Sequence, residues 1–228
     1  MGLPSFHIQH LETELYICAD RRMDEAAANA VKHLRAMLDK YILADPLFLT
    51  SLEPMTIAED APDILHMMCR AAMAANVGPM AAVAGAFSDY VGRELLKTSK
   101  QVIVENGGDI FMKTDKPATV AVYAGNSPLS LKLGIVVDSR EMPMSVCTSS
   151  GTVGPSLSFG KADAAVVVSA DACLADACAT RLGNEVKTPA DVAHALELII
   201  GIKGVVGALA VIGDVCGAAG AIRLETLG

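Results

Sequence analysis

The chain has no tryptophan and only five Phe and four Tyr in 228 residues. Few rings are left to stack nucleobases. A net charge of −8, with no cluster of Lys and Arg, leaves no basic surface for a phosphate backbone either. Nucleic acid is therefore excluded as a partner. Long hydrophobic runs are missing too. Ala71–Ser88 carries no charge, but it is Ala-rich and interrupted by Gly78–Pro79; Met142–Gly160 is charge-free yet full of Ser, Thr and Gly. Neither reads as a membrane span. Met1–His10 has no basic stretch and no apolar stretch of the kind a signal peptide needs, so a cytoplasmic location is expected. Six cysteines form no C-x-x-C pair and read as small buried residues in a reduced compartment. Cys147 stands apart because a polar loop follows it.

What is present is a large apolar fraction, 52 % against 19 % charged, which supports a sizeable core and excludes global disorder. Phe6–His10 and Glu14–Cys18 read as strands of an opening hairpin. From Met23 to Ile42, Ala27, Ala30, Val31, Leu34, Leu38, Tyr41 and Ile42 recur at helical spacing. Pro46–Pro62 reads as loop, and Asp60 with Pro62 opens a helix through Ile64, Leu65, Met68 and Ala72. Met80–Lys97 resumes as helix. Its first turns, Ala81, Ala82, Ala84, Gly85 and Ala86, either pack closely on a sheet or leave backbone N–H groups open to an anion.

Val102–Glu105 reads as a strand, Asn106–Gly107–Gly108 as a tight turn, and Asp109 as the start of the next strand. Strands are expected at Thr119–Tyr123, Leu131–Val137, Met144–Cys147 and Asp163–Val168. A helix follows from Ala172 to about Gly183, with Gly183–Asn184 as its stop. Thr188–Pro189 opens another. Val205–Ile212 and Ala221–Glu225 close the chain as strands joined by a glycine-rich connection. This order is not the strict alternation of a doubly wound sheet. It predicts an α+β fold, a largely antiparallel sheet with helices packed on one face. Strand pairs bracketing helices occur twice, a hint of internal duplication with no sequence repeat behind it.

Two further stretches carry chemistry. Cys147–Gly154, C-T-S-S-G-T-V-G, puts four hydroxyls and two glycines after a strand. It reads as a structural turn, as a cradle for phosphate oxygens, or as the seat of a serine nucleophile. It is neither a Walker loop nor a G-x-S-x-G elbow. None of the five histidines has an evident acid partner. Leu174–Asn184 puts Asp176 and Thr180 one helical turn apart. They are either two ordinary polar residues or hard oxygen donors suited to Mg²⁺.

E-N-G-G-D-I, T-S-S-G-T and L-A-D-A-C-A-T, in this order, resemble the ApbE-like superfamily of FAD:protein FMN transferases. P-M-A-A-V-A-G-A at Pro79–Ala86 and S-L-S-F-G-K-A-D at Ser156–Asp163 resemble a shorter, uncharacterised prokaryotic branch of it. The resemblance implies one T-fold-like domain over residues 1–228, with a ligand site between sheet and helices. In the transferases, Mg²⁺-bound FAD is cleaved at its pyrophosphate and FMN passes to a threonine hydroxyl of a protein acceptor. By that resemblance Asp176 and Thr180 hold the metal. Asn106, Gly107, Gly108 and Asp109 line the flavin site, Thr148, Ser149, Ser150, Gly151 and Thr152 form the Thr-Ser-Gly loop, and Pro79, Met80 and Ala81 lie near the ligand.

Departures accompany the match. Where the transferases carry a histidine, an Asp-Pro and a Thr-Gly after that loop, this chain has Gly154–Pro155–Ser156 and Phe159–Gly160–Lys161. The transferases' lysine and export signal are also missing. Three readings stay open: a Mg²⁺-dependent flavin enzyme, a protein that binds FAD, FMN or another phosphorylated ligand without transfer, and a hydrolase using Thr148, Ser149, Ser150 or a Cys147 thiolate. Exposed sheet edges and an acidic surface are compatible with a homodimer.

Overall fold

Alternation of apolar and polar residues sets the plane of the main sheet from the start. Leu15, Ile17 and Ala19 of β2 (Thr13–Ala19) are buried while Glu14 and Tyr16 face outward, and β1 (Ser5–His10) pairs with β2 from Ser5↔Cys18 to His10↔Thr13. The computed structural model describes residues 2–153 and 158–228. Beyond β2 the sheet takes in β3 (Val102–Asn106), β4 (Asp109–Lys113), β7 (Met144–Ser149), β8 (Ala164–Ser169), β9 (Val205–Ile212) and β10 (Val215–Gly220). Its eight strands run in the order β1-β2-β3-β4-β7-β8-β9-β10, each antiparallel to its neighbours.

Helices cover one face. Between β2 and β3 come α1 (Asp24–Ala44), α2 (Leu47–Thr50), α3 (Asp63–Ala75) and α4 (Val83–Leu96), the last entered by a 3-10 turn at Pro79–Ala82. Between β8 and β9 come α5 (Ala172–Glu185) and α6 (Val192–Ile200). The apolar stripe of α1, Ala27, Ala30, Val31, Leu34 and Leu38, is buried as its spacing requires. A capping box between Thr188 and Asp191 opens the segment leading to α6.

The opposite face carries a second core. There β5 (Ala118–Ala121), β6 (Leu133–Val137) and β11 (Arg223–Thr226) form a small antiparallel sheet in the order β11-β6-β5. Ala118, Ile135 and Val137 pack there with Met112, Val146, Val166, Val168, Leu209 and Val211. Alternation within β7 and β8 thus feeds two cores: Cys147, Ala165 and Val167 face the helices, Val146, Val166 and Val168 the small sheet.

The α+β fold with a large antiparallel sheet holds as expected, and so does its repeated plan: two strands, helices, two strands, twice over, the halves joined where β4 pairs with β7. Three local expectations fail. The segment 46–62 contains the short helix α2, held by the buried Phe48. Gly183–Asn184 does not stop α5, which runs on to Glu185 with Gly183 buried in its last turn. The glycine-rich connection near the C-terminus is itself the strand β10; a Cβ at Gly217 would come within 2.6 Å of the Val192 side chain on α6. Among the described residues no single helix is long and apolar enough to cross a membrane.

Candidate functional site

The turn between β3 and β4 has only two residues, Gly107 and Gly108, at φ +62° and +113°. Side chains rarely tolerate such values, which explains the glycine pair. The turn fixes the register Asn106↔Asp109. Alternation then puts Asp109 on the face of Phe111, toward the helices. On the neighbouring strand the pairing Ile110↔Val146 brings Cys147 opposite Asp109.

Over these strand ends lies α5, its N-terminus capped by Asp171, whose carboxylate accepts from the Leu174 N–H at 3.1 Å. Asp176, Thr180 and Asn184, successive turns apart, form one line along the helix and face a common cavity. α4 comes unusually close. A Cβ at Gly85 would sit 2.4 Å from the Ala172 carbonyl oxygen. That approach lets the Gly85 N–H donate to Asp176 Oδ2 at 2.8 Å.

The cavity has a volume of about 520 Å³, within the roughly 300–1,000 Å³ usual for small-molecule sites. It opens at the ends of the strands where the two halves of the main sheet meet. Its outer part is apolar, with Leu49, Leu52, Tyr123 and Phe159, all more than half exposed. Its inner part is polar and acidic, with Asp109, Asp176, Thr148, Ser149 and Thr180; Glu105 also lines it. Among the described residues, the lining includes three carboxylates and no Lys, Arg or His.

Asp109 and Asp176 are 6 % and 8 % exposed. Burial pushes the Asp176 carboxyl well above the usual carboxylate range, with the charge of Asp109 adding to it and the Gly85 and Ala84 amides opposing. Burial pushes Asp109 up to about 7 against the opposing Cys147 thiol and Thr148 amide. Asp109 Oδ1 has no hydrogen-bond partner, a costly state for a buried oxygen. No three side chains of His, Cys, Asp or Glu gather among the described residues to hold a metal by themselves. A cation here would therefore need hydroxyl, backbone, water or ligand oxygens as well.

Ten of the fourteen residues expected from the sequence line the cavity: Met80, Ala81, Gly107, Gly108, Asp109, Thr148, Ser149, Ser150, Asp176 and Thr180. Four do not, each for a visible reason. Asn106 turns away and donates from Nδ2 to the Ala84 carbonyl at 3.2 Å, tying the hairpin to α4. Pro79 is buried in the turn entering α4. Gly151 donates its N–H to the Ala162 carbonyl at 2.8 Å, and Thr152 donates its hydroxyl to Asp163 Oδ1 at 2.9 Å.

The loop after β7 is therefore less of a phosphate cradle than its composition suggested. The Ser150 hydroxyl accepts from the Thr152 and Val153 amides, and with Gly151 three successive N–H groups are engaged within the protein. The Gly85 amide, expected to await an anion, is engaged by the protein's own Asp176. The surroundings of Cys147 disfavour a thiolate. The residue is fully buried, and burial, with Asp109 and Asp176 nearby, raises its thiol well above the ordinary value. None of the five histidines lines the cavity, so the Ser and Thr hydroxyls there have no imidazole base. The stretch Gly154–Pro155–Ser156, with Leu157, lies outside the described residues.

Sequence reasoning missed the apolar rim and Asn184. The carboxamide oxygen of Asn184 accepts from the Phe159 N–H at 2.8 Å and so anchors one side of the mouth. Its spacing of four from Thr180 was the available signal, hidden by reading Gly183–Asn184 as a helix stop.

Comparison with known proteins bears on this architecture at two depths. Solved structures similar in fold include a flavin transferase ApbE from Vibrio cholerae, with a TM-score of 0.61 at 10 % identity over 99 % of this chain and 97 % of that one. An ApbE protein from Thermotoga maritima gives a TM-score of 0.64 at 12 % identity over 96 % and 97 %. At such identities the fold alone is shared. Closer in sequence are UPF0280 proteins. One from Methanosarcina acetivorans is 44 % identical over 214 residues, covering 92 % of this chain and 84 % of its own length. Another from Methanosarcina barkeri is 43 % identical over 223 residues, covering 96 % and 88 %. The family model described as AbpE bacteria matches residues 2–198, and the chain belongs to that family.

Proposed function

We propose that this protein, acting as one ApbE-like unit, binds a flavin dinucleotide together with Mg²⁺ in the cavity and transfers FMN from FAD to a hydroxyl of a protein acceptor. The observation that carries the reading is the cavity's charge: among the described residues three carboxylates line it with no cationic side chain. A pyrophosphate entering alone would meet only repulsion. A divalent cation removes that conflict, and the hard oxygens of Asp176 and Thr180 suit Mg²⁺. When bound, such an ion stabilises charge developing on phosphate oxygens.

The chain's own residues supply position. Asp176 is held by the Gly85 amide, and Thr180 stands one helical turn further along the same wall. Gly107 and Gly108 leave bare backbone along one side, where a flat ring can lie without meeting side chains. Leu49, Leu52, Tyr123 and Phe159 give the mouth an apolar lining that excludes water from the phosphate end.

A second reading, ligand binding without transfer, is favoured by one specific observation: no histidine lines the cavity to act as a base. Calorimetric titration with FAD, FMN and ADP, each with and without Mg²⁺, tests both. Magnesium-dependent FAD binding followed by release of AMP supports the transferase. Binding with no AMP over hours leaves the second reading. No binding of any of the three overturns both.

A further inference from the structure

The floor of the cavity holds two buried acids, of which the function proposed above uses one. Asp109 reaches it from the start of β4 and Asp176 from the middle of α5, so each comes from a different half of the main sheet and its helices. Asp176 has an amide on Oδ2, whereas Asp109 Oδ1 is buried and has no partner. The neighbours of Asp109 are a thiol and a backbone amide, and no Lys, Arg or His lines the cavity among the described residues. Two desolvated carboxyls with no counter-charge take up protons, and only a positive group between them keeps both ionised. Asp109 lines the same cavity as Asp176 and Thr180, and its unpartnered buried oxygen is the remaining hard donor there for such a group.

We propose that Asp109 is a second carboxylate ligand of the cation site, holding one divalent cation jointly with Asp176, so that this protein binds the cation before any nucleotide arrives. The inference rests on the cavity reading above but is separable from it. With a single carboxylate, the ion would depend on nucleotide phosphates to complete its shell and would bind weakly alone. With two, it docks first and turns an acidic cavity into one that accepts a phosphorylated ligand. Because the two acids belong to different halves, the ion would also tie β4 to α5 across the middle of the fold.

The test uses the full chain without nucleotide, titrated with Mn²⁺ and followed by calorimetry and electron paramagnetic resonance. One ion per chain is expected, with affinity lowered at least tenfold by Asp109→Asn and by Asp176→Asn, and unchanged by Asp115→Asn on an exposed loop. Asp109→Asn keeps the side chain's shape, and its circular dichroism and cooperative melting check the fold. Should that variant fail to fold, wild-type protein with ¹³C-labelled aspartate answers the same question. Addition of Mg²⁺ would shift two buried carboxyl resonances if Asp109 is a ligand and one if it is not. Absence of Mn²⁺ binding to nucleotide-free protein, or wild-type affinity in Asp109→Asn, overturns the proposal. Failure of the flavin reading looks different: the cation binds, and FAD does not at any Mg²⁺ concentration.

Discussion

The two halves of the main sheet end in equivalent hairpins that have taken opposite roles. β3 and β4 turn through Gly107–Gly108; β9 and β10 turn through Gly213–Asp214. The first glycine of each turn has nearly the same backbone, φ +62° and +59°, with open space where a Cβ would stand. Yet the first turn lines the cavity, and the second is tied down. Gly213 donates its N–H to Asp163 Oδ2 at 2.7 Å and accepts from the Ser127 hydroxyl at 2.6 Å. The difference lies in position within the sheet. β4 is central and pairs with the other half, so the residue after its turn, Asp109, is covered by α5 and lost to solvent. β10 is an edge strand, and the matching Val215 stays exposed. One topology used twice yields one site, because only the hairpin at the junction has a second half to face.

The largest effect that would break this asymmetry is loss of the acid on α5. Asp176→Ala is expected to abolish the divalent-ion dependence of ligand binding and weaken FAD affinity about 100-fold or more, roughly 3 kcal/mol, while the fold survives. Calorimetry with and without Mg²⁺ reads it, and wild-type affinity with Mg²⁺ would remove Asp176 from the site. A matched pair of glycine substitutions sharpens the comparison. Gly107→Ala and Gly213→Ala should each cost about 1–2 kcal/mol of stability from left-handed backbone. Only Gly107→Ala should also weaken ligand binding, by about tenfold. Equal binding losses in both would show that the turn acts through stability alone.

A further effect is a pH drift. Burial raises Asp109 in the folded protein to about 7, from about 4 for a free aspartate. Between those values the folded state holds a proton that the unfolded chain has lost, so stability falls as pH rises from about 4 to 7 and levels off above. In chelator, the melting temperature of the wild type should decline across that window. Asp109→Asn should reduce the slope, the raised Asp176 carboxyl supplying what remains. A slope unchanged in that variant assigns it to other groups.

Much of the fold could be read from local pattern because local physics fixed it. The stripe of α1, the Gly-Gly turn and the Thr188–Pro189 helix start each rest on neighbours in sequence. Where reading failed, a distant partner had intervened. Gly217 looked like a connection, but it lies in a strand so close beneath α6 that a side chain there would meet Val192. Asn184 looked like a helix stop, but Phe159 and the cavity use it within the helix. The loop Cys147–Gly154 looked rich in free donors, and Ala162 and its own Ser150 had taken them.

By itself, then, the sequence determined the types of most elements, the glycine turn and the hard oxygen donors Asp176 and Thr180 one helical turn apart. Those follow from backbone preference and side-chain period, which act over a few residues. Only the tertiary structure decided that Asp109 and Asp176 share one floor with no cationic side chain among the described residues, that Cys147 is buried beside them, and that apolar residues line the opening. Burial and charge balance depend on which strands become neighbours, and the pairing of β4 with β7 joins residues far apart in the chain.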